Sequence, residues 1–178
     1  IQYNIDDIVD YKPIAIYHHG THTDNSWHAG KIDDIRDIVK YIRDKGLPAG
    51  IGSHIPEVIE YAEEKGWETD FYMCCMYNLA RSYKAAPAED QNAYARDKFP
   101  AEDPARMART ILQVKKPCIA FKVMAASRNC TTPDCTRKAL ESAFANIKPT
   151  DIVDVGMFQK QRNQVAENAA FVREILSR

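Results

Sequence analysis

Residues 48–66 read Pro48-Ala49-Gly50-Ile51-Gly52-Ser53-His54-Ile55-Pro56-Glu57-Val58-Ile59-Glu60-Tyr61-Ala62-Glu63-Glu64-Lys65-Gly66. The opening run, Pro48 to Ser53, is short and apolar, as expected of a strand buried on both faces. It ends on the polar pair Ser53-His54. Pro56 then suits the first turn of a helix, where its missing N–H has no intrahelical partner to lose. Val58, Ile59 and Ala62 carry that helix and Gly66 closes it. A strand followed at once by a helix is a β/α unit, and the rest of the chain repeats it.

Upstream, Pro13 to Tyr17 reads as a strand running into His18-His19-Gly20. Residues 32–44 read as a helix on Ile35, Ile38, Val39 and Ile42, stopped by Gly46. Residues 1–12, with Ile5, Ile8 and Val9, read as the end of a preceding helix. Downstream, Phe71 to Met76 is a third strand. Ala80 to Phe99 is a polar, Ala-rich insertion expected to hold a short helix. Asp103-Pro104 opens a helix reaching Val114. Cys118 to Met124 is a fourth strand, Thr136 to Asn146 a helix, Asp151 to Met157 a fifth strand, and Arg162 to Leu176 a last helix.

Strict alternation of this kind predicts an α/β fold with a parallel sheet, in one domain spanning 1–178. No Gly-x-Gly-x-x-Gly follows any strand, so the open-sheet dinucleotide fold is unsupported. Polar side chains gather at the C-terminal strand ends, where barrel active sites lie. The expected architecture is therefore a TIM-type (β/α)8 barrel, with this chain supplying about five strands of its C-terminal half. Five strands do not close an eight-stranded barrel. About three more are expected upstream or from a partner chain, and a homo-oligomer is compatible with that.

The 24 basic and 25 acidic residues leave a net charge of −1, so no electrostatic footprint for nucleic acid is present. No apolar run approaches the ~20 residues of a membrane span. The expected ligand is a small-molecule substrate. Cys74 and Cys75 are adjacent within an apolar run, a usage that fits reduced thiols and a cytoplasmic location. Cys130 and Cys135 flank four residues and read as free thiols, a disulfide or a metal pair.

All five histidines fall at two neighbouring strand ends: His18, His19, His22 and His28, then His54. Neutral imidazoles are the commonest metal ligands, and Asp24 adds a hard oxygen. His18, His54 and either His22 or Asp24 would supply the three protein ligands of a catalytic site for a divalent metal such as zinc or manganese. The spacing matches no strong metal motif. The alternative is hydrogen-bonded histidines lining a pocket. Strand alternation puts His18 and His19 on opposite sides, so only one of them points into a barrel. Lys122 interrupts an apolar run. It reads as a base or Schiff-base nucleophile if buried, or as an ion-paired lysine. Tyr72, Tyr77, Tyr83, Tyr94 and Phe99, on or after the third strand, line a ring-shaped substrate or pack a loop.

Several passages together resemble the C-terminal half of aldo/keto reductases of the divergent bacterial branch. They are Gly30-Lys31, Gly50-Ile51-Gly52-Ser53-His54, Asp70-Phe71 through Tyr77-Asn78, Pro117 to Ala125, and Asp151 to Asn168 with Gln164-Val165-Ala166-Glu167-Asn168. The resemblance covers nearly the whole chain, and its last passage is the most specific. It implies a (β/α)8 barrel oxidoreductase using NADP on a carbonyl or sugar-like substrate. It places the catalytic histidine at His18, with His19 beside it and a strand lysine at Lys122. It puts the nicotinamide amide on Ser53 and His54, the nicotinamide ring on Phe121, the 2′-phosphate near Lys160 and Arg162, and adenine near Glu167 and Asn168. The sequence departs from the family pattern in the loop Ala125-Ala126-Ser127-Arg128, and the catalytic Asp, Tyr and Lys of the first half-barrel are not in this chain. The competing expectations are a metal-dependent barrel lyase, isomerase or hydrolase built on the histidines, and a non-catalytic barrel fragment.

Overall fold

A computed structural model describes residues 2–81 and 98–177. Its elements run in order: α1 (Gln2–Val9), β1 (Ile16–His18), α2 (Gly20–His28), α3 (Asp34–Asp44), β2 (Ala49–Ser53), α4 (Pro56–Glu64), β3 (Phe71–Cys75), α5 (Asp103–Gln113), β4 (Cys118–Phe121), α6 (Pro133–Ala145), β5 (Ile152–Val153) and α7 (Gln164–Leu176). The five strands form one parallel sheet in sequential order, β1-β2-β3-β4-β5. Its register pairs Ile16 with Ala49, Gly50 with Phe71, Tyr72 with Cys118, and Ile119 with Ile152.

Successive side chains on a strand point to opposite faces, and the two faces differ sharply. Ala49, Ile51, Ser53, Tyr72, Cys74, Cys118 and Ala120 are all fully buried on one face. Against it pack α3 on β1 and β2, α4 on β2 and β3, and α5 on β3. These helices contribute Ile35, Val39, Ile42, Val58, Ile59, Ala62, Met107 and Ile111 to the core. On the other face Tyr17 is 40% and Ile152 56% exposed, and Phe71, Met73, Ile119 and Phe121 are half-buried. The start of α2 lies against this second face at Gly52, where a Cβ would meet the Gly20 backbone at 3.2 Å.

The glycines of β2 leave room for aromatic rings from the two neighbouring strands. A Cβ on Gly50 would sit 2.6 Å from the Phe71 ring, so that aromatic lies flat over the strand. At the N-terminal end of the sheet, two aspartates pin strand starts. Asp70 accepts the Ala49 amide at 2.8 Å and pairs with Arg43 at 2.6 Å. Asp151, its side chain fully buried, accepts the Cys118 amide at 2.8 Å, the Lys148 amide at 2.7 Å and the Lys148 ammonium at 3.0 Å.

Several boundaries differ from the sequence reading. β1 starts at Ile16, where its amide first finds a partner in the Pro48 carbonyl. Pro13 has no N–H to offer, and Ile14 stands 94% exposed before the sheet begins. β4 ends at Phe121, because Lys122 adopts φ +59° and leaves the extended conformation. β5 pairs over two residues rather than seven. The final helix starts at Gln164, capped by Asn163, whose Oδ1 accepts the Ala166 amide at 3.0 Å. The histidine-bearing segment after β1, to which the sequence reading assigned no element, is a helix, α2. The short helix expected in the insertion falls on residues 82–97, outside the described residues.

Candidate functional site

The site grows from the point where β1 passes directly into α2. His18 ends the strand, His19 caps the helix, and Gly20 is its first residue. One turn later Thr23 and Asp24 face inward, both fully buried. Thr23 Oγ1 donates to the His19 carbonyl at 3.2 Å and lies 2.8 Å from His18 Nδ1. Since that hydroxyl proton is already committed, Thr23 accepts from His18 Nδ1–H. Burial, with His22 and His19 nearby, pushes the His18 pKa down to about 4, so the ring is neutral at physiological pH.

Asp24 reaches from α2 to the end of β2. Its Oδ1 accepts the Ser53 hydroxyl at 2.6 Å, and both oxygens lie 3.3 Å from the His54 amide nitrogen. Its Oδ2 lies 2.6 Å from His54 Nδ1. A carboxylate only accepts, so Nδ1 of His54 carries the proton and Nε2 lies on the opposite side of the ring. The ring is held on two further sides. Phe121, at the end of β4, meets it edge-on with centroids 6.1 Å apart. A Cβ on Gly20 would lie 3.3 Å from its Cε1, so the helix start approaches the imidazole closely.

His54 lines a cavity of about 200 Å³ at the C-terminal strand ends, together with Tyr17, His19, Gly20, Phe121 and Lys122. Burial, helped by His22 and His54 and opposed by Asp24, lowers the His19 pKa as well. On the other side of Phe121 and Lys122 opens a larger cleft of about 640 Å³. It runs between the loop after β4, which includes Ala126 and Ser127, and the end of β5, where Asp154 to Phe158 face it, as far as Gln164 at the start of α7. The loop is unusual in its backbone: Ala125, Ala126 and Ser127 have φ of 48°, 48° and 77°. Arg128 stacks on Phe99 at 4.2 Å, and Phe99 meets Tyr77 at 5.0 Å.

The structure thus sorts the candidate residues into groups. His18 turns into the helical layer, whereas His19 lines the cavity, so the strand-end histidine that faces the pocket is the second of the pair. Ser53 is buried and its hydroxyl serves Asp24 and the Ile55 backbone. His22 and His28 are exposed on α2. The His22 ring lies 6.2 Å from His18 and 6.1 Å from His19. Asp24 and His54 are joined to each other, and among the described residues no three His, Cys, Asp or Glu side chains converge on a metal-sized point. Lys122, expected inside a strand, sits just past β4 and is half-buried. Lys160 is exposed before α7. Arg162 pairs with Glu167 at 3.0 Å, and Asn168 is buried beside a small cavity that Arg162 also lines. Tyr72 points into the helical layer and donates to Glu63 at 2.9 Å. Tyr83 and Tyr94 lie outside the described residues. Cys130 and Cys135 are free thiols, and hydrogen bonds from Thr132 and Thr131 lower the pKa of Cys135.

Sequence reasoning missed Tyr17, Gly20 and Thr23. Their signal was α2 itself: once 20–28 is helical, Thr23 and Asp24 are adjacent inward positions one turn from the strand end. Among the described residues, no helix is long and apolar enough to cross a membrane. No protein-family model matches the chain, and no curated protein and no solved structure matches it.

Proposed function

We propose that this chain forms the C-terminal half of a (β/α)8 barrel, and that the barrel is an aldo/keto-reductase-like oxidoreductase using NADP on a carbonyl or sugar-like substrate. Sequential strand order favours the barrel. Right-handed crossovers between strands laid down in order put every helix on the same side. A doubly wound sheet instead reverses its order and is covered on both faces. The half-exposed face bearing Tyr17, Met73 and Phe121 is then the barrel interior, to be covered by further strands.

The observation that carries the cofactor reading is the cleft of about 640 Å³ between the β4 loop and the start of α7. Its size lies in the range of small-molecule sites. If β4 and β5 are the seventh and eighth barrel strands, it lies beside the loops that most often bind phosphate in this architecture. Phe121 at one end offers a ring for nicotinamide. Beyond Gln164, which lines both this cleft and the small cavity shared by Arg162 and Asn168, Lys160 and Arg162 would offer charge for a 2′-phosphate and Glu167 and Asn168 would lie towards adenine, with Arg162 giving up its pairing to Glu167. Bound there, the cofactor supplies or accepts a hydride. His19 and Lys122 face the adjoining cavity and orient the carbonyl.

Titration of the purified protein with NADPH, followed by nucleotide fluorescence, tests this reading. Saturable binding is expected, weakened by Phe121→Ala. Arg162→Ala should erase the preference for NADPH over NADH. Absence of saturable binding by either nucleotide would overturn it.

A further inference from the structure

We propose that His54 is the acid–base residue of this site, carrying the substrate proton on Nε2, with Asp24 as its positioning residue. The nature of the substrate, a carbonyl compound or its alcohol, rests on the reductase reading above. The role of the imidazole rests on its surroundings.

The two buried histidines make the contrast. His18 hands its Nδ1 proton to a neutral hydroxyl within the helical layer. His54 hands its own to a carboxylate at 2.6 Å and lines a cavity. This carboxylate holds the proton on Nδ1 and so fixes the tautomer in which Nε2 is the acceptor nitrogen. A carboxylate partner is also what a proton-transfer histidine uses to fix its tautomer and ring orientation. The carboxylate cannot easily swing away. It is fully buried and tied to Ser53 Oγ and the His54 amide as well. Ring rotation is checked by Phe121 on one side and by the close approach of Gly20 on another.

In the reducing direction the proton on Nε2 passes to the substrate oxygen. The N–H bond breaks, an O–H bond forms, and the ring returns to the neutral Nδ1–H form. The two electrons that reduce the carbon would be supplied as hydride by a nicotinamide held in the adjoining cleft, and solvent reprotonates Nε2. In the oxidising direction the neutral ring takes the hydroxyl proton, and each transfer is reversed.

The test combines mass-spectrometric mapping of histidine acylation by diethyl pyrocarbonate with kinetics of 4-nitrobenzaldehyde reduction by NADPH. In the unmodified protein, His54 should be acylated several-fold faster than exposed His28, and Asp24→Asn should abolish that advantage. His54→Gln should lower kcat about a hundredfold, within the usual range for general acid–base catalysis, with a much smaller change in the aldehyde KM. A His54 that reacts no faster than His28, or a His54→Gln variant that keeps its kcat, overturns the proposal. Fast acylation of His54 in a protein that binds no NADPH upholds the acid–base centre and sinks the cofactor reading instead. The labelling arm needs no variant, so it stands even if a substitution prevents folding.

Discussion

Acid should weaken this fold through His18, and the substitution His18→Asn should remove that part of the loss. His18 is 7% exposed, and its surroundings hold its pKa at about 4 against 6.5 for a free imidazole. Between those values the unfolded chain binds a proton that the native ring refuses. The native state is therefore favoured less and less as pH falls through 6.5 towards 4, and the contribution is intact above 6.5. At 1.36 kcal/mol per tenfold change in affinity, the gap amounts to about 3 kcal/mol, of which roughly 2.5 kcal/mol is lost by about pH 4.5. Asparagine can place an amide where Nδ1 stands, keeping a hydrogen bond to Thr23 without titrating. Urea unfolding of both proteins at about pH 7.5 and about pH 4.5 gives the double difference, in which carboxylate effects common to both cancel. Equal losses in the two proteins would show that His18 titrates as a solvated ring, and the reasoning from its burial would be wrong.

Other outcomes follow from packing. Ile51 is fully buried at the centre of the sheet, so Ile51→Ala should destabilise by about 2–5 kcal/mol in a chemical-denaturation experiment. Gly50→Ala puts a methyl 2.6 Å from the Phe71 ring. It should lower the melting temperature, at about 1–3 kcal/mol for overpacking, and Gly50→Ala with Phe71→Leu should recover part of the loss. Thr132 caps α6 through a 3.2 Å bond from the Cys135 amide. Thr132→Ala should therefore reduce stability by about 1 kcal/mol, and by removing that hydroxyl should raise the pKa of Cys135, read as slower alkylation by iodoacetamide at neutral pH.

The alternation of strand and helix was legible because each unit carries local marks. Pro56 stands at a helix start, Gly46 and Gly66 follow helix ends, and the apolar stripe of 35–42 has helical period. The sequence could not show where strands stop. Cys118 to Met124 is continuously apolar apart from Lys122, yet pairing ends at Phe121 because Lys122 turns to positive φ. Composition carries no trace of that. The helix α2 was hidden for a different reason. Gly20-Thr21-His22-Thr23-Asp24-Asn25-Ser26 consists of weak helix formers, and it is held by the bonds of Asp24 to Ser53 and His54, with Thr23 bonding locally to the His19 carbonyl. Asp24 and His54 were both visible as candidates. Their partnership was not, since it depends on a separation of 30 residues closed by one β/α turn.

The aspartates at the other end of the sheet bear on how this molecule can change over time. Asp70 and Asp151 tie down the strand starts at the edge remote from His54, and they do so through main-chain amides, whose positions do not depend on which side chains the strands carry. Anchorage at one rim and the His54–Asp24 centre proposed at the opposite rim are thus encoded by separate residues. Exposed positions in the segments after β1, β2 and β4 can change without touching these anchors, whereas buried Thr23 and Asp24 of α2 cannot. A scaffold divided in this way is a good parent for new specificities, because selection acting on the loops need not first be compensated in the frame.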